Sequence, residues 1–251
     1  MIILKSSDEL LAMRRAGLVV ARAHELVREM VRPGVTTLQI DQAVEEFLRK
    51  ENAIPAFKGY HGYPATICAS VNEVVVHGIP SSDVVLEEGS IIGVDIGAFV
   101  DGFCGDSAWT YPVGEVSEEV KTLLKVGEEA LYSGIAQAVV GNRLSDISYA
   151  VQQYAESFGF SVVRDFVGHG IGRKMHEDPP VPNFGPPGRG PRLKAGMTLA
   201  IEPMINAGGY EVEVLEDNWT AVTRDGSWSV HFEHTVAITD DGPQVLTSLQ
   251  E

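Results

Sequence analysis

The sequence has few cysteines, few basic residues and no long apolar run, and each shortage excludes a class of protein. Its 251 residues contain only two cysteines, Cys68 and Cys104. Two thiols cannot form the disulfide framework of a small secreted domain, and they are too few for a zinc site built from thiolates. Any bound metal would therefore need oxygen and imidazole ligands.

Basic residues are outnumbered: the chain has 19 Lys and Arg against 35 Asp and Glu, a formal net charge of −16. Nucleic-acid binding depends on clustered Lys and Arg, so direct binding of nucleic acid is not expected, whereas cations are easily held. No apolar stretch approaches the roughly 18 residues of a membrane span, and the N-terminus lacks the charge order of a signal peptide. We therefore expect a soluble, cytoplasmic protein without membrane contact.

What the sequence does contain is two helix pairs, each followed by strands. Apolar spacing predicts helices over residues 8–31, 37–51, 117–140 and 144–158. The second pair superposes on the first, although two unrelated amphipathic pairs could match by coincidence. We interpret residues 1–251 as a single domain built from two related halves, about residues 1–115 and 116–251.

The remaining apolar segments predict antiparallel strands and an α+β fold with helices on one face of a curved sheet. The proline-rich segment 178–191 is expected to be a loop at the rim rather than a docking motif. β-Branched runs or alternating apolar residues predict strands over residues 65–76, 91–99, 103–111, 160–168, 197–205, 211–223 and 229–238.

Two of these strands carry aspartates on one face. An Asp-Gly pair at residues 101–102 is a strong signal for a two-residue hairpin turn, because such turns need positive φ. Asp95 would then pair with Ala108, two positions from Asp106, and side-chain alternation puts both carboxylates on the same face. Carboxylates this close on an apolar hairpin would repel each other, which favours a metal between them over a turn cap and a solvated side chain.

Three further ionisable side chains lie in apolar or glycine-rich strand contexts: His169, Glu202 and Glu233. Each alone has an ordinary explanation, such as a hydrogen-bonded histidine in the core or a glutamate on a solvated face. Two Asp, two Glu and one His together are the ligand inventory of a dinuclear site. One imidazole among carboxylates suits Mn(II), Fe(II), Co(II) or Zn(II).

The order of these motifs resembles the bacterial type I methionine aminopeptidases over essentially the whole chain. The resemblance implies the pita-bread fold, with pseudo-twofold halves around a dinuclear site, and an enzyme that removes the initiator methionine, preferably before a small second residue. It implies two divalent ions, Co, Mn, Fe or Zn. The matching motifs are His77-Gly78-Ile79-Pro80, Asp95, Gly105-Asp106-Ser107, Gly168-His169-Gly170-Ile171-Gly172, His176-Glu177, Ile201-Glu202-Pro203-Met204 and Phe232-Glu233-His234-Thr235.

The resemblance also implies a metal-ligand set. Asp95 would chelate one ion, while Asp106 and Glu233 would bridge both. His169 and Glu202 would complete the second. A weaker implication is a monovalent cation held at Asn72, Val74 and Ser229.

The resemblance further implies how the reaction runs. A metal-bridging hydroxide would attack the carbonyl carbon of the N-terminal residue, and Glu202 would accept the proton. His176 would stabilise the negatively charged oxygen, and His77 would contact the scissile nitrogen. Binding of the free amino group near the Asp95 metal would make the enzyme an exopeptidase.

The implied substrate pocket combines aromatic faces and sulfur, which suits an unbranched thioether. Ordinary packing is the alternative for its aromatic residues. Met175, Trp228 and His231 depart from the usual family residues and leave the shape of the pocket rim open. The implied lining residues are Tyr60, Tyr63, Cys68, His77, Met175, His176 and Trp219.

Two other functions fit parts of the same pattern. An X-Pro peptidase of the same fold usually carries an extra N-terminal domain, which is not expected in a chain whose first helix begins near residue 8. A non-catalytic relative that binds proteins or nucleic acid would have lost ligands, and here all five positions hold competent residues. The expected partners are N-terminal methionine peptides and nascent chains, bound by a monomer; the acidic charge gives no support for ribosome association.

Overall fold

The computed structural model describes residues 1–250, which form an α+β fold with antiparallel sheets. No described helix combines the length and apolar character needed to cross a membrane. The helices are α1 (Ser7–Met30), α2 (Thr37–Lys50), α3 (Glu118–Ile135) and α4 (Leu144–Ser157). The strands are β1 (Ile54–Pro55), β2 (Ile67–Val71), β3 (Val74–Val76), β4 (Ile91–Val100), β5 (Phe103–Pro112), β6 (Ser161–Val162), β7 (Gly168–Gly170), β8 (Glu177–Val181), β9 (Thr198–Ile201), β10 (Met204–Asn206), β11 (Val212–Val214), β12 (Ala221–Thr223), β13 (Ser229–His231), β14 (His234–Thr239) and β15 (Gly242–Val245).

All four predicted helices are present, and local sequence explains where they begin. Ser6 and Thr36 cap α1 and α2, and each forms a capping box with the Glu or Gln three residues later. Helix α3 ends at Ile135, earlier than predicted. The chain continues there in tight turns, in which the Ala138 amide donates to the Ile135 carbonyl. Each helix pair covers its own apolar core, as expected for two similar units that each place two helices before strands. The boundary between the two halves stays a prediction.

The hairpin of β4 and β5 has the predicted register. Asp95 pairs with Ala108, and Asp106 pairs with Gly97. The turn residues Asp101 and Gly102 have φ values of 51° and 80°, the positive region that such a tight turn requires. Strand β4, which carries Asp95, lies inside its sheet: it pairs with β5 on one edge and with β1 and β2 on the other. Both of its edges are therefore fixed.

Other predicted strands are shorter than expected or lie elsewhere. The segment 65–76 divides into β2 and β3 at a turn where Asn72 has a φ of 53°. The expected loop at residues 178–191 is wrong in its first part, because β8 extends through Val181 and pairs with β7. Since β8 is the edge strand of a five-stranded sheet, its prolines remove no hydrogen bond from a central ladder.

Side chains join the hairpin to the second half of the chain near Asp106. The hydroxyl of Thr235 accepts from the Asp106 amide at 3.1 Å and donates to its carbonyl at 2.8 Å. The Ser107 hydroxyl donates to the Glu233 carbonyl at 2.7 Å, and the Glu233 amide donates to the Ala108 carbonyl at 2.8 Å. These bonds hold Asp106 and Glu233 side by side.

Helix α1 packs against β5 through backbone rather than through large side chains. A Cβ atom added at Gly105 would lie 2.8 Å from the Gly17 nitrogen and 2.9 Å from the Ala16 carbonyl carbon. Because successive residues of a strand point to opposite faces, this contact lies directly behind Asp106. The absence of a side chain at Gly105 therefore sets how closely the helix approaches the ligand-bearing strand.

Gly105→Ala is expected to destabilise the fold by about 1–3 kcal/mol, the usual cost of overpacking against atoms that cannot move aside. Gly93→Ala on β4 is the matched control, since its Cβ would meet the Thr110 hydroxyl at an ordinary 3.4 Å. Urea denaturation of both variants measures the difference in the free energy of unfolding. Equal stability of the two variants would contradict the close approach of α1 and β5.

Candidate metal centre and active site

The structure brings all five side chains predicted as metal ligands to one cavity of about 340 Å³. Asp95 and Asp106 come from the hairpin, His169 from β7, Glu202 from the end of β9, and Glu233 from the junction of β13 and β14. Asp106, His169 and Glu233 are buried, and each offers one ligand atom within 4.8 Å of the other two. Five side chains from four separate segments of the chain thus converge on one cavity.

The ionisable groups lie close to one another. The Nε2 atom of His169 is 3.9 Å from the Oδ2 atom of Asp106 and 3.5 Å from the Oε1 atom of Glu202. The Oε2 atom of Glu202 lies 3.5 Å from the Nε2 atom of His231. The rings of His169 and His176 are 4.2 Å apart between centroids and nearly perpendicular.

The carboxylates fit a bound cation better than any protein partner. The Oδ1 atoms of Asp95 and Asp106 and the Oε1 atom of Glu233 are buried and accept no hydrogen bond among the described residues. Buried oxygens without a donor are costly, and a divalent ion would satisfy them. Three carboxylates and one imidazole match the hard and borderline ions expected from the sequence, although ligation by each residue stays a prediction.

Crowding of the acids is reflected in their pKa values. Burial raises the pKa of Asp95 to about 7 and that of Glu202 to about 8. Burial, together with the neighbouring carboxylates, also raises the pKa values of Asp106 and Glu233 well above their ordinary range. Without a cation the site would therefore hold protons at neutral pH.

Two histidines of the cavity, His77 and His169, are neutral at pH 7. Burial lowers the pKa values of His77 and His169 to about 4. A neutral imidazole can bind a metal ion through one nitrogen while the other donates a hydrogen bond. The Nδ1 atom of His169 lies 2.9 Å from the Gly170 carbonyl, which favours the tautomer that leaves Nε2 free for a metal.

The remaining predicted pocket residues line the same cavity, and aromatic contacts hold several of them in place. The ring of Trp219 meets Tyr63 edge-on at 5.0 Å. The Tyr63 hydroxyl donates to the Ile67 and Gly78 carbonyls, while the Tyr60 hydroxyl lies 2.8 Å from the Nδ1 atom of His176. Cys68 and Met175 are buried beside them, so the wall is aromatic and sulfur-containing as expected.

Sequence reasoning missed several residues that line the cavity. Most are apolar side chains in strand or loop segments, where nothing in the sequence separates a pocket wall from a core. His231 was noted only as a departure, although its place two residues before Glu233 puts it on the same face of the chain and could have indicated the site. The missed residues are Phe57, His61, Val76, Phe166, Val167, Met204 and His231.

The residues predicted for a monovalent cation lie in one neighbourhood. The Ser229 amide donates to the Asn72 carbonyl at 2.9 Å, and Val74 begins β3 two residues after Asn72. The side-chain oxygen of Asn72 already accepts from the Ile91 amide at 3.0 Å. Cation binding there stays a prediction.

Comparison with known proteins agrees with this geometry. Residues 11–240 match metallopeptidase family M24. The chain belongs to this family. Methionine aminopeptidase 1 of Bacillus subtilis is 56% identical over 247 residues, which cover 98% of this chain and 99% of that protein. Membership of a metallopeptidase family implies divalent metal as the cofactor, and the group of Asp106, His169 and Glu233 offers it a binding site.

Similarity to solved structures confirms the predicted pita-bread fold. The crystal structure of a methionine aminopeptidase from Thermotoga maritima matches with a TM-score of 0.97 and 49% identity, covering 99% of this chain and 100% of that one. The prolidase from Pyrococcus furiosus shares the fold, with a TM-score of 0.81 at 22% identity. The alignment covers 99% of this chain but only 66% of that prolidase.

Removal of divalent cations is expected to make stability fall as the pH rises from about 6.5 to about 8.5. The folded protein keeps protons on Asp95, with a pKa of about 7, and on Glu202, with a pKa of about 8, that the unfolded chain has already lost. Stability falls with pH wherever the unfolded state binds fewer protons. Below about pH 6.5 the unfolded chain protonates His169 while the folded protein does not, because the folded pKa is lowered to about 4. This histidine therefore makes stability rise with pH in that range.

Urea denaturation in the presence of a chelator measures this dependence. Saturating Mn(II) should remove it, because the ion replaces the protons that the carboxylates otherwise need. Asp106→Asn should weaken the pH dependence of stability in the chelated protein, since one of the mutually repelling carboxylates is gone. A chelated wild-type protein whose stability rises across this pH range would contradict the crowding of the acids.

Proposed function

We propose that this chain is a methionine aminopeptidase that removes the N-terminal methionine from peptides and newly made chains in the cytoplasm. The observation that carries the proposal is an acidic, histidine-containing cluster at the base of a cavity with an aromatic and sulfur-containing wall. Relatives with that printed name, aligned over nearly the whole chain, support the same activity. The X-Pro peptidase alternative is weaker, because the matched prolidase is only 22% identical, against 56% for the methionine aminopeptidase of Bacillus subtilis.

Two divalent ions, Co, Mn, Fe or Zn, would be held by Asp95, Asp106, His169, Glu202 and Glu233. Such ions lower the pKa of bound water and polarise a carbonyl oxygen. The chain itself supplies fixed positions for the ligands. Asp106 and Glu233 are anchored to each other through a backbone bond and through Thr235 and Ser107, so these two proposed ligands are held side by side.

Glu202 is the proposed proton acceptor. In the metal-free site burial raises the pKa of Glu202 to about 8, and a bound cation would favour the ionised carboxylate, the form that accepts a proton. Its two oxygens each lie 3.5 Å from an imidazole nitrogen, of His169 and His231. Attachment at the end of β9 places it at the cavity wall rather than on a mobile loop.

His176 and His77 are the proposed contacts to the substrate backbone. The bond between the Tyr60 hydroxyl and Nδ1 of His176 orients that ring and leaves Nε2 for the oxygen that gains negative charge. The ring of His77 packs edge-on against Phe166 at 5.4 Å. Since the pKa of His77 is lowered to about 4, it meets the scissile amide as a neutral group.

The methionine side chain fits the wall formed by Tyr63, Cys68, Met175 and Trp219. Thioether sulfur makes favourable contacts with aromatic edges, and an unbranched chain passes between the rings. Because all five proposed ligands come from one chain, a monomer is sufficient for activity. A monovalent cation at Asn72, Val74 and Ser229 would steady the start of β3, and the acidic net charge gives no support for contact with the ribosome.

Substrate preference tests the proposed activity. Peptides beginning Met-Ala should lose free methionine with added Co(II) or Mn(II), and release should stop with a chelator and return when metal is restored. Peptides beginning Ala-Pro or Lys-Pro should be cleaved far more slowly, because alanine is too short to fill the aromatic and sulfur-containing wall and lysine would bring a charged ammonium group against it. Faster cleavage of the proline peptides would favour the X-Pro peptidase, and metal-loaded protein that released no methionine would favour a non-catalytic binding module.

A pair of substitutions on β5 tests the proposed ligands. Asp106→Ala is expected to abolish turnover and to remove the stabilisation that added Mn(II) gives the wild-type protein, since a shared ligand is lost. Cys104→Ser, two residues away on the same buried strand, should leave turnover nearly intact because its thiol has only a weak 3.7 Å contact with the Gly105 carbonyl. Methionine release and thermal denaturation with and without metal compare the two. Equal loss in both variants would mean that Asp106 acts through the strand's structure and not as a ligand.

A further inference from the structure

His231 has a buried ring nitrogen that the reaction as proposed does not use. Only 5% of the residue is exposed, and its Nε2 atom has no hydrogen-bond partner among the described residues. A core histidine normally has its ring nitrogens paired, because an unpaired buried polar atom costs free energy. The ring lines the cavity that holds the proposed metal centre.

The polar atom that His231 does approach belongs to Glu202. The Nε2 atom of His231 lies 3.5 Å from Oε2 of Glu202, while the Nε2 atom of His169 lies 3.5 Å from Oε1 of the same carboxylate. Glu202 therefore stands between two imidazoles, one beside each oxygen. His169 belongs to the group whose ligand atoms lie within 4.8 Å of one another, whereas His231 does not.

The backbone of His231 is held rigidly where this contact needs it. Its amide donates to the Thr110 hydroxyl at 2.9 Å, and the same hydroxyl donates to its carbonyl at 2.9 Å. His231 also pairs with Met204, two residues after Glu202, in the ladder of β10 and β13. Glu202 thus lies two residues before the start of the strand that pairs with β13, and Thr110 ties His231 to β5.

We propose that His231 is a positioning residue for Glu202: its Nε2–H donates to Oε2, so that Oε1 is kept for the metal beside His169. The inference rests on the proposed metal centre. A 3.5 Å separation is longer than a normal N–H···O bond, so the proposal requires the Glu202 carboxylate to turn toward His231 when the metal is bound. The bond gives the unpaired ring nitrogen of His231 a partner. It also restricts the orientation of Glu202, which is both a proposed metal ligand and the proposed proton acceptor.

Direct coordination of the metal, as a second nitrogen ligand beside His169, is the competing role for His231, and the distances favour the positioning role. The Nε2 atom of His231 lies 3.5 Å from Oε2 of Glu202, and His231 is outside the group of Asp106, His169 and Glu233 whose ligand atoms lie within 4.8 Å of one another. Hydrogen bonds that orient metal ligands contribute about 10- to 100-fold to metal affinity. Replacement by a neutral amide should preserve such a bond, whereas it would not replace an imidazole nitrogen in a coordination sphere.

Metal titration of three full-length variants tests the proposal. Metal-depleted wild-type protein, His231→Leu, His231→Gln and His24→Gln are titrated with Co(II), with calorimetry for affinity and visible absorption for the coordination environment. His24 is a matched control, since it is a buried histidine that bonds to the Tyr111 hydroxyl and the Ser107 carbonyl between α1 and β5. Circular dichroism and urea denaturation establish that each variant folds.

We expect His231→Leu to lose about 10- to 100-fold in affinity for Co(II), with His231→Gln close to wild type and His24→Gln unchanged in affinity. Unaltered affinity in His231→Leu would overturn the proposal. Equal loss in the Leu and Gln variants, with a changed Co(II) spectrum, would overturn it in favour of direct ligation. Wild-type protein that bound no Co(II) would instead overturn the metal centre itself, so the two failures are distinguishable.

Discussion

Mutual repulsion among buried carboxylates is the constraint on which the rest of this structure depends. Asp95, Asp106, Glu202 and Glu233 share one cavity, and their pKa values are all raised by burial. Such a group persists only with protons or with a cation, and the unpaired oxygens of three of them favour the cation. The surrounding fold can be understood as the framework that brings these acids together and prevents them from moving apart.

That framework depends on hydrogen bonds between the two halves of the chain more than on any one element. Thr235 bonds to both backbone groups of Asp106, and Ser107 and Ala108 bond to both backbone groups of Glu233. Four residues after Asp106 on β5, the Thr110 hydroxyl accepts from the His231 amide and donates to the His231 carbonyl. Strand β5 therefore carries one proposed ligand itself and sets the position of two other residues of the site through its hydroxyls and carbonyls.

Much of this arrangement could be predicted because it follows from local rules. The Asp-Gly turn fixes the hairpin register, and the register puts Asp95 and Asp106 on one face. The combination of two Asp, two Glu and one His in apolar contexts indicates a shared metal site, but the meeting of their distant strands is supported only by the resemblance of their motifs, since no local rule brings such strands together. Strand β8 was missed because its prolines indicate a loop unless the segment is known to lie at a sheet edge. The cavity role of His231 depends on a contact between strands that periodicity cannot supply.

The two-residue turn at Asp101 and Gly102 has a consequence for how this protein can vary. Side chains alternate along β5, so inserting or deleting a single residue in the turn would reverse which face each following side chain occupies. Asp106 would then point toward α1, and Gly105, whose missing side chain lets the helix approach, would be replaced there by a carboxylate. Length changes at this exposed corner are therefore far more disruptive than its surface position suggests, and purification tags or reporter peptides belong in other loops.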